Sequence, residues 1–270
     1  MAPVSSTKEN KLAVISFSGG LDSTSLLINL LKNNYNVFAL SFDYGQKHKL
    51  ELIKGKQNIS YLKSKKYSIV HKIIDISSCS DLLTSSLTTK NIDVPDGFYE
   101  ENSMKHTVVP NRNAIFSSII YGYALTIYKT FKKNIIIALG VHAGDHAIYP
   151  DCRQEFYTSI MHAFKIGNWD SDYINLHLPY LKLNKSEILK DALDSCEKLN
   201  LDFNTVFKNT LTTYNPNYGG ISDGKTGSDI ERILAFDSIG LKDPLKYKYS
   251  WSKVLENAKL LEKEFLKKKS

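Results

Sequence analysis

Ser18, Gly19, Gly20, Asp22, Ser23 and Thr24 fall within one short stretch, and together they could hold a phosphate. The stretch lies between an apolar run, Leu12 to Phe17, and a leucine-rich run, Leu26 to Leu31. That order predicts a strand, a tight glycine turn and a helix. Such a turn aims backbone N–H groups and the positive end of a helix at one small volume, which suits an anion. Gly19 and Gly20 would let the backbone approach that anion with no Cβ in the way. The hydroxyls of Ser18, Ser23 and Thr24 add donors. Asp22 is the odd member, because a carboxylate repels phosphate unless it holds a cation or a backbone N–H. We read it as a Mg²⁺ partner or a loop brace. No Lys follows the second glycine, so this is not a Walker loop. The plainer alternative is a βα turn whose glycines serve packing alone. A strand before it and a helix after it favour the phosphate.

Other clusters could also meet a ligand. Asp43, Tyr44, Gln46, Lys47 and His48 end a second apolar run and offer both charges, a stacking ring and an imidazole; the alternative is a solvated turn. The run from His106 reaches Pro110, after which Asn111 or Asn113 is expected to cap an apolar helix, Ala114 to Ile127. Arg112 at that helix start would take a phosphate or carboxylate through paired N–H donors. His142, Asp145 and His146 read more simply as solvated loop residues than as a metal site. Asp151, Cys152, Arg153 and Glu155 form a dense polar loop. Cys152 would need a lowered pKa to act as a nucleophile, and with no base beside it, packing or substrate contact is the expected role. Asn184-Lys185-Ser186-Glu187 has the form of a capping box opening a helix, Ile188 to Leu199. Lys185 opposes the dipole there, which is easier to understand if it serves an anionic ligand such as ATP.

These residues must be positioned by alternating elements. Tyr35 to Phe42, Tyr67 to Ile74, Asn134 to Leu139 and Asn175 to Pro179 read as further strands. Helical spacing begins at Lys49 and again at Tyr157 to Phe164. Alternation of this kind predicts an α/β fold with a doubly wound parallel sheet, binding ligands at the carboxyl ends of its strands. Ser77 to Asn102 reads as an irregular surface excursion, and 1–10 as a disordered tail. The α/β domain is expected over 11–203 and a small C-terminal appendage over 204–270. That appendage ends in a docking helix carrying Trp251, Val254, Leu255, Ala258 and Leu261.

A chain of 270 residues with 42% hydrophobic and 23% charged residues can bury a large core. A net charge of +7 suits either nucleic acid or an enzyme handling ATP and a carboxylate. Without a helix-turn-helix, an RNA-binding aromatic motif or a concentrated basic stripe, nucleic acid is not the expected partner. Cys79, Cys152 and Cys196 make no disulfide framework, and no apolar run is long enough to span a membrane. The cytoplasm is the expected location.

Ser18 to Ser23 resembles the Ser-Gly-Gly-x-Asp-Ser pyrophosphate loop (PP-loop) of the ATP pyrophosphatases. More of the chain, about Leu12 to Leu245, is similar to the 7-cyano-7-deazaguanine (preQ0) synthase family of the queuosine pathway. Beside the loop, the resemblance rests on Leu40-Ser41-Phe42-Asp43-Tyr44-Gly45-Gln46, Val109-Pro110-Asn111-Arg112-Asn113, Tyr149-Pro150-Asp151-Cys152-Arg153-Gln154-Glu155-Phe156 and Asn184-Lys185-Ser186-Glu187-Ile188. The loop marks only the wider superfamily; the Asp-Tyr-Gly-Gln and Tyr-Pro-Asp-Cys-Arg blocks are far more specific. The resemblance implies a Rossmann-like, adenine-nucleotide α-hydrolase-like fold, a homodimer, and ATP with Mg²⁺. It implies ATP contacts at Phe17, Ser18, Gly19, Gly20, Leu21, Asp22, Ser23, Thr24, Ser41 and Lys185, with Mg²⁺ at Asp22. Substrate or catalytic roles would fall to Asp43, Tyr44, Gln46, Arg112, Asp151, Cys152, Arg153 and Glu155. The implied reaction joins 7-carboxy-7-deazaguanine and ammonia through an acyl adenylate and an amide to the nitrile.

The chain departs from the family at four zinc-binding cysteines. The matching positions are Thr213, Asp223, Thr226 and Asp229. Two Thr and two Asp cannot make a thiolate zinc site, so no zinc is expected there. A hydrogen-bonded loop is expected instead, its Asp and Thr side chains capping turns while Tyr214, Tyr218 and Ile221 pack. The other readings are an amide-forming or deazaguanine-conjugating relative in DNA modification or defence, a nucleic-acid binder, and a pseudoenzyme.

Overall fold

The computed structural model describes residues 11–46, 49–83, 85–88, 107–144, 149–211 and 221–269. Strands β1 (Lys11–Ser16), β2 (Tyr35–Asp43), β3 (Ile69–Asp75), β4 (Ile135–Ala138) and β5 (Ile174–His177) form one sheet in the order β3-β2-β1-β4-β5, with every pair parallel. The doubly wound parallel α/β sheet expected from the alternation is therefore what forms. Helices α1 (Leu21–Lys32), α2 (Leu50–Ser64), α3 (Arg112–Phe131), α4 (Gln154–Gly167) and α5 (Lys185–Lys198) cover it. They are followed by α6 (Phe203–Lys208), α7 (Gly227–Ser238) and α8 (Trp251–Lys269).

Central strand β1 is apolar on both faces because side chains alternate across a strand and both faces are covered. Ala13 and Ile15 join a core with Leu27 of α1, Leu62 of α2, Leu189 of α5, Phe207 of α6 and Phe236 of α7. Leu12 and Val14 join the opposite core with Ile120 and Tyr121 of α3 and Tyr157 and Met161 of α4. Helix α8 lays Val254 and Ala258 on Ile230 and Ile233 of α7, as the apolar spacing from Trp251 predicts. Among the described residues no helix is long and apolar enough to cross a membrane.

Local signals hold at one cap and fail at another. Asn184 Oδ1 accepts from the Glu187 N–H at 3.0 Å, and the Asn184 N–H donates to Glu187 Oε2 at 2.8 Å, so the capping box is complete. Helix α3, in contrast, has no Asn side-chain cap. Asn111 occupies the cap position in the left-handed region, φ 56°, and makes no capping hydrogen bond. A cap side chain reaches the N–H groups of the first turn from extended backbone, which Asn111 lacks. Asn113 lies inside the helix and donates to Cys152 Sγ at 3.5 Å. The tail over 1–10 and most of the surface excursion lie outside the described residues; of the latter, Ser77–Leu82 is a 3₁₀ turn.

A buried ion pair ties the C-terminal segments together. Arg232 of α7 donates through Nε to Asp243 Oδ2 at 2.6 Å and through a terminal nitrogen to Oδ1 at 3.0 Å. It also reaches Thr210 Oγ1 at 2.8 Å and the Phe207 carbonyl at 3.1 Å. Tyr247 donates to Asp243 Oδ2 at 2.8 Å. Asp243→Leu strands a buried guanidinium and should lower the stability by about 3–5 kcal/mol, read as a drop in the urea midpoint. A second expectation concerns His71 of β3, which bonds to Ser41 Oγ at 2.8 Å and whose burial pushes its pKa down to about 4. The unfolded chain takes up this proton first, so its share of the stability is present above pH 6.5 and is lost as the pH falls through about 4. His71→Gln should flatten the urea midpoint against pH in that window.

Candidate active site

The strand order places the carboxyl end of β1 at the switch point, with β2 on one side and β4 on the other. Such a crevice is where open α/β sheets bind ligands. The turn Phe17–Gly20 lies there. Gly19 has φ +84°, and a Cβ on it would stand 2.5 Å from the Glu51 carbonyl oxygen of α2. Contact with α2, rather than access for an anion, is thus what requires glycine at this position. Ser18 Oγ accepts from the Gly20 N–H at 3.2 Å and bonds to Ser23 Oγ at 3.0 Å. Ser41 Oγ donates to the Phe17 carbonyl at 2.5 Å from beneath the turn, so it braces the loop and does not line the cavity. The Leu211 N–H donates to the Gly19 carbonyl at 3.3 Å from the segment after α6. Thr24 is fully buried and faces away from the cavity, and Leu21 is anchored in the core while lining one wall.

The cavity over this turn has two lobes, of ≈ 220 Å³ and ≈ 240 Å³, which share Ser18, Gly20, Asp22, Arg112 and Asn113. Four helices begin on its walls: α1 at Gly20 and Asp22, α3 at Arg112, α5 at Lys185 and α7 at Ser228. Each brings backbone N–H groups without intrahelical partners and the positive end of its dipole. The arrangement attracts anions before any side-chain charge is added.

Side-chain charges then set the polarity locally. Buried Lys185 lies 2.7 Å from Glu231 Oε2 and 3.4 Å from Asp22 Oδ2. Its place at a helix N-terminus is explained by these two carboxylates. Asp22 Oδ2 is 3.8 Å from Nε2 of buried His142, whose Nδ1 accepts from the Gly144 N–H at 3.1 Å. That bond assigns the neutral ring its proton on Nε2, toward Asp22. Asp22 Oδ1 is buried with no hydrogen-bond partner, which fits a group awaiting a cation.

The smaller-numbered wall of the second lobe is aromatic. Phe42 and Phe116 stack with centroids 4.0 Å apart, and Tyr44 leans on Phe116 at 5.7 Å. The Arg112 guanidinium lies 5.7 Å from the Tyr44 ring centroid. Burial, with Glu51 adding, raises the Tyr44 hydroxyl to about 12 against the opposing pull of Arg112. Gln46 is buried and braces the turn, accepting from the Tyr44 N–H at 2.9 Å and donating to Glu51 Oε1 at 3.1 Å.

Several expected residues stand elsewhere. Asp43 pairs with Lys49 at 2.6 Å and lines neither lobe. Arg153 and Glu155 are exposed, because α4 starts at Gln154 and turns them to solvent; neither they nor Asp151 line the cavity. Cys152 does, packed against Tyr149 and Val141. Lys47, His48, Asp145 and His146 lie outside the described residues. Sequence reasoning passed over Glu51, Glu231 and Ser228, and set His142 aside. Nothing local distinguishes these residues; only the packing of α2 and α7 against the turn brings them in.

At the described positions that match the family's zinc ligands, the side-chain oxygens are engaged in local hydrogen bonds. Thr226 Oγ1 donates to Asp229 Oδ2 at 2.6 Å and accepts from the Asp229 N–H at 3.3 Å, capping α7. Asp223 Oδ1 accepts from the Lys225 N–H at 3.2 Å. These are the turn caps expected for them, and such a set does not fit a thiolate zinc centre. Thr213, with Tyr214 and Tyr218, lies outside the described residues.

Residues 12–240 match the family model described as "Queuosine biosynthesis protein QueC". The chain is 42% identical over 238 residues to 7-cyano-7-deazaguanine synthase 2 of Colwellia psychrerythraea, covering 88% of this chain and 99% of that one. It is 43% identical over 235 residues to the synthase of Hahella chejuensis, covering 87% and 92%. The synthase of the archaeon Methanoregula boonei is 42% identical over 235 residues, covering 87% and 98%. Among solved structures it is distantly similar to NMN synthetase from Francisella tularensis, at 16% identity and TM-score 0.38 over 95% of this chain and 85% of that one. Matched over most of its length by the family model and by relatives of this identity, the chain belongs to the QueC family of 7-cyano-7-deazaguanine synthases.

Proposed function

We propose that this chain uses two ATP to convert 7-carboxy-7-deazaguanine and ammonia to 7-cyano-7-deazaguanine, releasing AMP and pyrophosphate at each activation. The observation that carries the reading is the meeting of four helix N-termini with Arg112 and Lys185 over the Ser18–Ser23 turn. In the first activation a carboxylate oxygen of the acid bonds to the α-phosphorus of ATP. The bond from that phosphorus to the bridging oxygen breaks, and pyrophosphate leaves. Ammonia adds to the acyl carbon, loses a proton and expels AMP, leaving the amide. The amide oxygen then takes AMP from a second ATP. Loss of the nitrogen's two protons and of AMP, with its oxygen, leaves the nitrile.

The residues divide this work by position. The N–H groups of the α1 first turn, with the Ser18 and Ser23 hydroxyls, receive the pyrophosphate. Arg112 and Lys185 hold the acid and the α-phosphate together, which would otherwise repel, and so remove most of the entropy of the encounter. A cavity walled by Phe116, Ile120, Leu139 and Tyr157 keeps water from the adenylate. Asp22 would hold Mg²⁺ through its unpartnered Oδ1, and the ion would supply charge neutralisation at the phosphates. No zinc enters the scheme; a homodimer, implied by resemblance, and a cytoplasmic location, expected from the cysteine usage, belong to the same proposal.

A second reading, arrest at the amide, is favoured by one observation: the family's thiolate positions carry Asp and Thr. Incubating purified protein with the acid, MgATP and ammonium separates the two. Nitrile with two AMP per product supports the full reaction; amide with one AMP supports arrest; no AMP defeats both. Lys185→Met leaves Asp22 and Glu231 facing one another without a cation. It should lower kcat by about 10²–10³ while ATP binding weakens far less.

A further inference from the structure

Glu51, in the first turn of α2, is not used by the reaction as described, yet it lines the second lobe beside Ser18, Tyr44, Phe42, Phe116 and Arg112. Its Oε1 accepts from Gln46 Nε2 at 3.1 Å, and Gln46 is itself fixed by the Tyr44 N–H at 2.9 Å and the Phe42 carbonyl at 3.3 Å. The carboxyl is therefore held in one orientation. The backbone at Glu51 is also pinned, since its carbonyl abuts Gly19 closely enough that a Cβ there would stand 2.5 Å away. A carboxylate held in one pose on the wall of this lobe, beside an aromatic cluster, is placed to accept from a ligand.

We propose that Glu51 is the specificity residue for the base, accepting the adjacent ring N–H and exocyclic amino N–H of a guanine-type edge. The assignment rests on the function proposed above and names the part of its substrate that this lobe would take. The chemistry favours guanine over adenine. A carboxylate only accepts, and a guanine-type edge offers two adjacent donors. Adenine sets a ring acceptor beside its amino group, so one of its two contacts would be repulsive. A planar base laid against Tyr44 and Phe116, in the lobe they line with Phe42, would put its donor edge at Glu51 and its acid group toward Arg112 and the turn, where activation occurs. Burial raises the Glu51 carboxyl to about 7, with Gln46 and Arg112 opposing the rise. Paired N–H donors from a ligand would lower it and favour the ionised form. The competing explanation is that Glu51 only complements the positive end of α2.

The test uses the full chain, Glu51→Gln, and two acids: 7-carboxy-7-deazaguanine and its analogue lacking the 2-amino group. Pyrophosphate release reads turnover, and calorimetry without ATP reads binding of each acid. The native chain should prefer the 2-amino acid by about tenfold or more. Glu51→Gln should raise KM for that acid by about tenfold, leave KM for ATP within about twofold, and erase the preference. Glu51→Asp keeps the charge but shortens its reach, and should lose the same affinity, so it covers failure of the Gln variant to fold. An unchanged preference, or a rise in KM for ATP in place of the acid, overturns the assignment. If the native chain binds the acid but turns over neither compound, the proposed reaction fails. The calorimetric comparison still decides Glu51, since equal affinity in native and variant chains refutes it.

Discussion

Everything at the site depends on what happens at the end of β1. Its two neighbours in the sheet lie on opposite sides of it, β2 reached directly after it in the chain and β4 much later. The connections must therefore part above it. Helices that follow the strands then start at the same rim, and α5 and α7 join them there. Four helix N-termini around one opening produce a positive field that no single motif supplies. The sheet carries this burden because its core is apolar on both sides of β1 and leaves the rim to polar groups.

A field of one sign needs internal balance while no ligand is bound. Asp22 and Glu231 provide it by flanking Lys185, and His142 sets its ring behind Asp22. The acidic member of the loop is thus a counterweight as well as a cation partner. Glu231 and Arg232 are consecutive on α7, so the helix that balances Lys185 is also the one locked by the buried pair with Asp243. Moving α7 would disturb charge and packing together.

The fold was legible in the sequence wherever the pattern was local. The apolar run of β1 and the leucine spacing of α1 fix both elements, and the glycine pair between them fixes the turn. The capping box at Asn184 was equally plain. Asn111 misled because its residue type suits a cap while its backbone turns left-handed. The site was legible only in part. Loop residues and Arg112 could be placed because each lies at a strand end or a helix start. Asp43, Arg153 and Glu155 could not be ruled out, since a pairing with Lys49 or the exact start of α4 is decided by tertiary packing. Glu51 reaches the cavity, and Glu231 reaches Lys185, through contacts distant in sequence, and no spacing rule reports those.

Gly19 and Gly55 touch across the gap between the turn and α2, where a Cβ on either would collide with the other's backbone or with Phe17. The turn and α2 therefore behave as a single casting. Whatever stiffens the turn stiffens a helix whose far side packs through Ile59 and Leu62 into the main core. Ligand capture at the rim should accordingly be felt as slower amide exchange deep in α2, and the protein gains a mechanical gauge of occupancy well away from the opening.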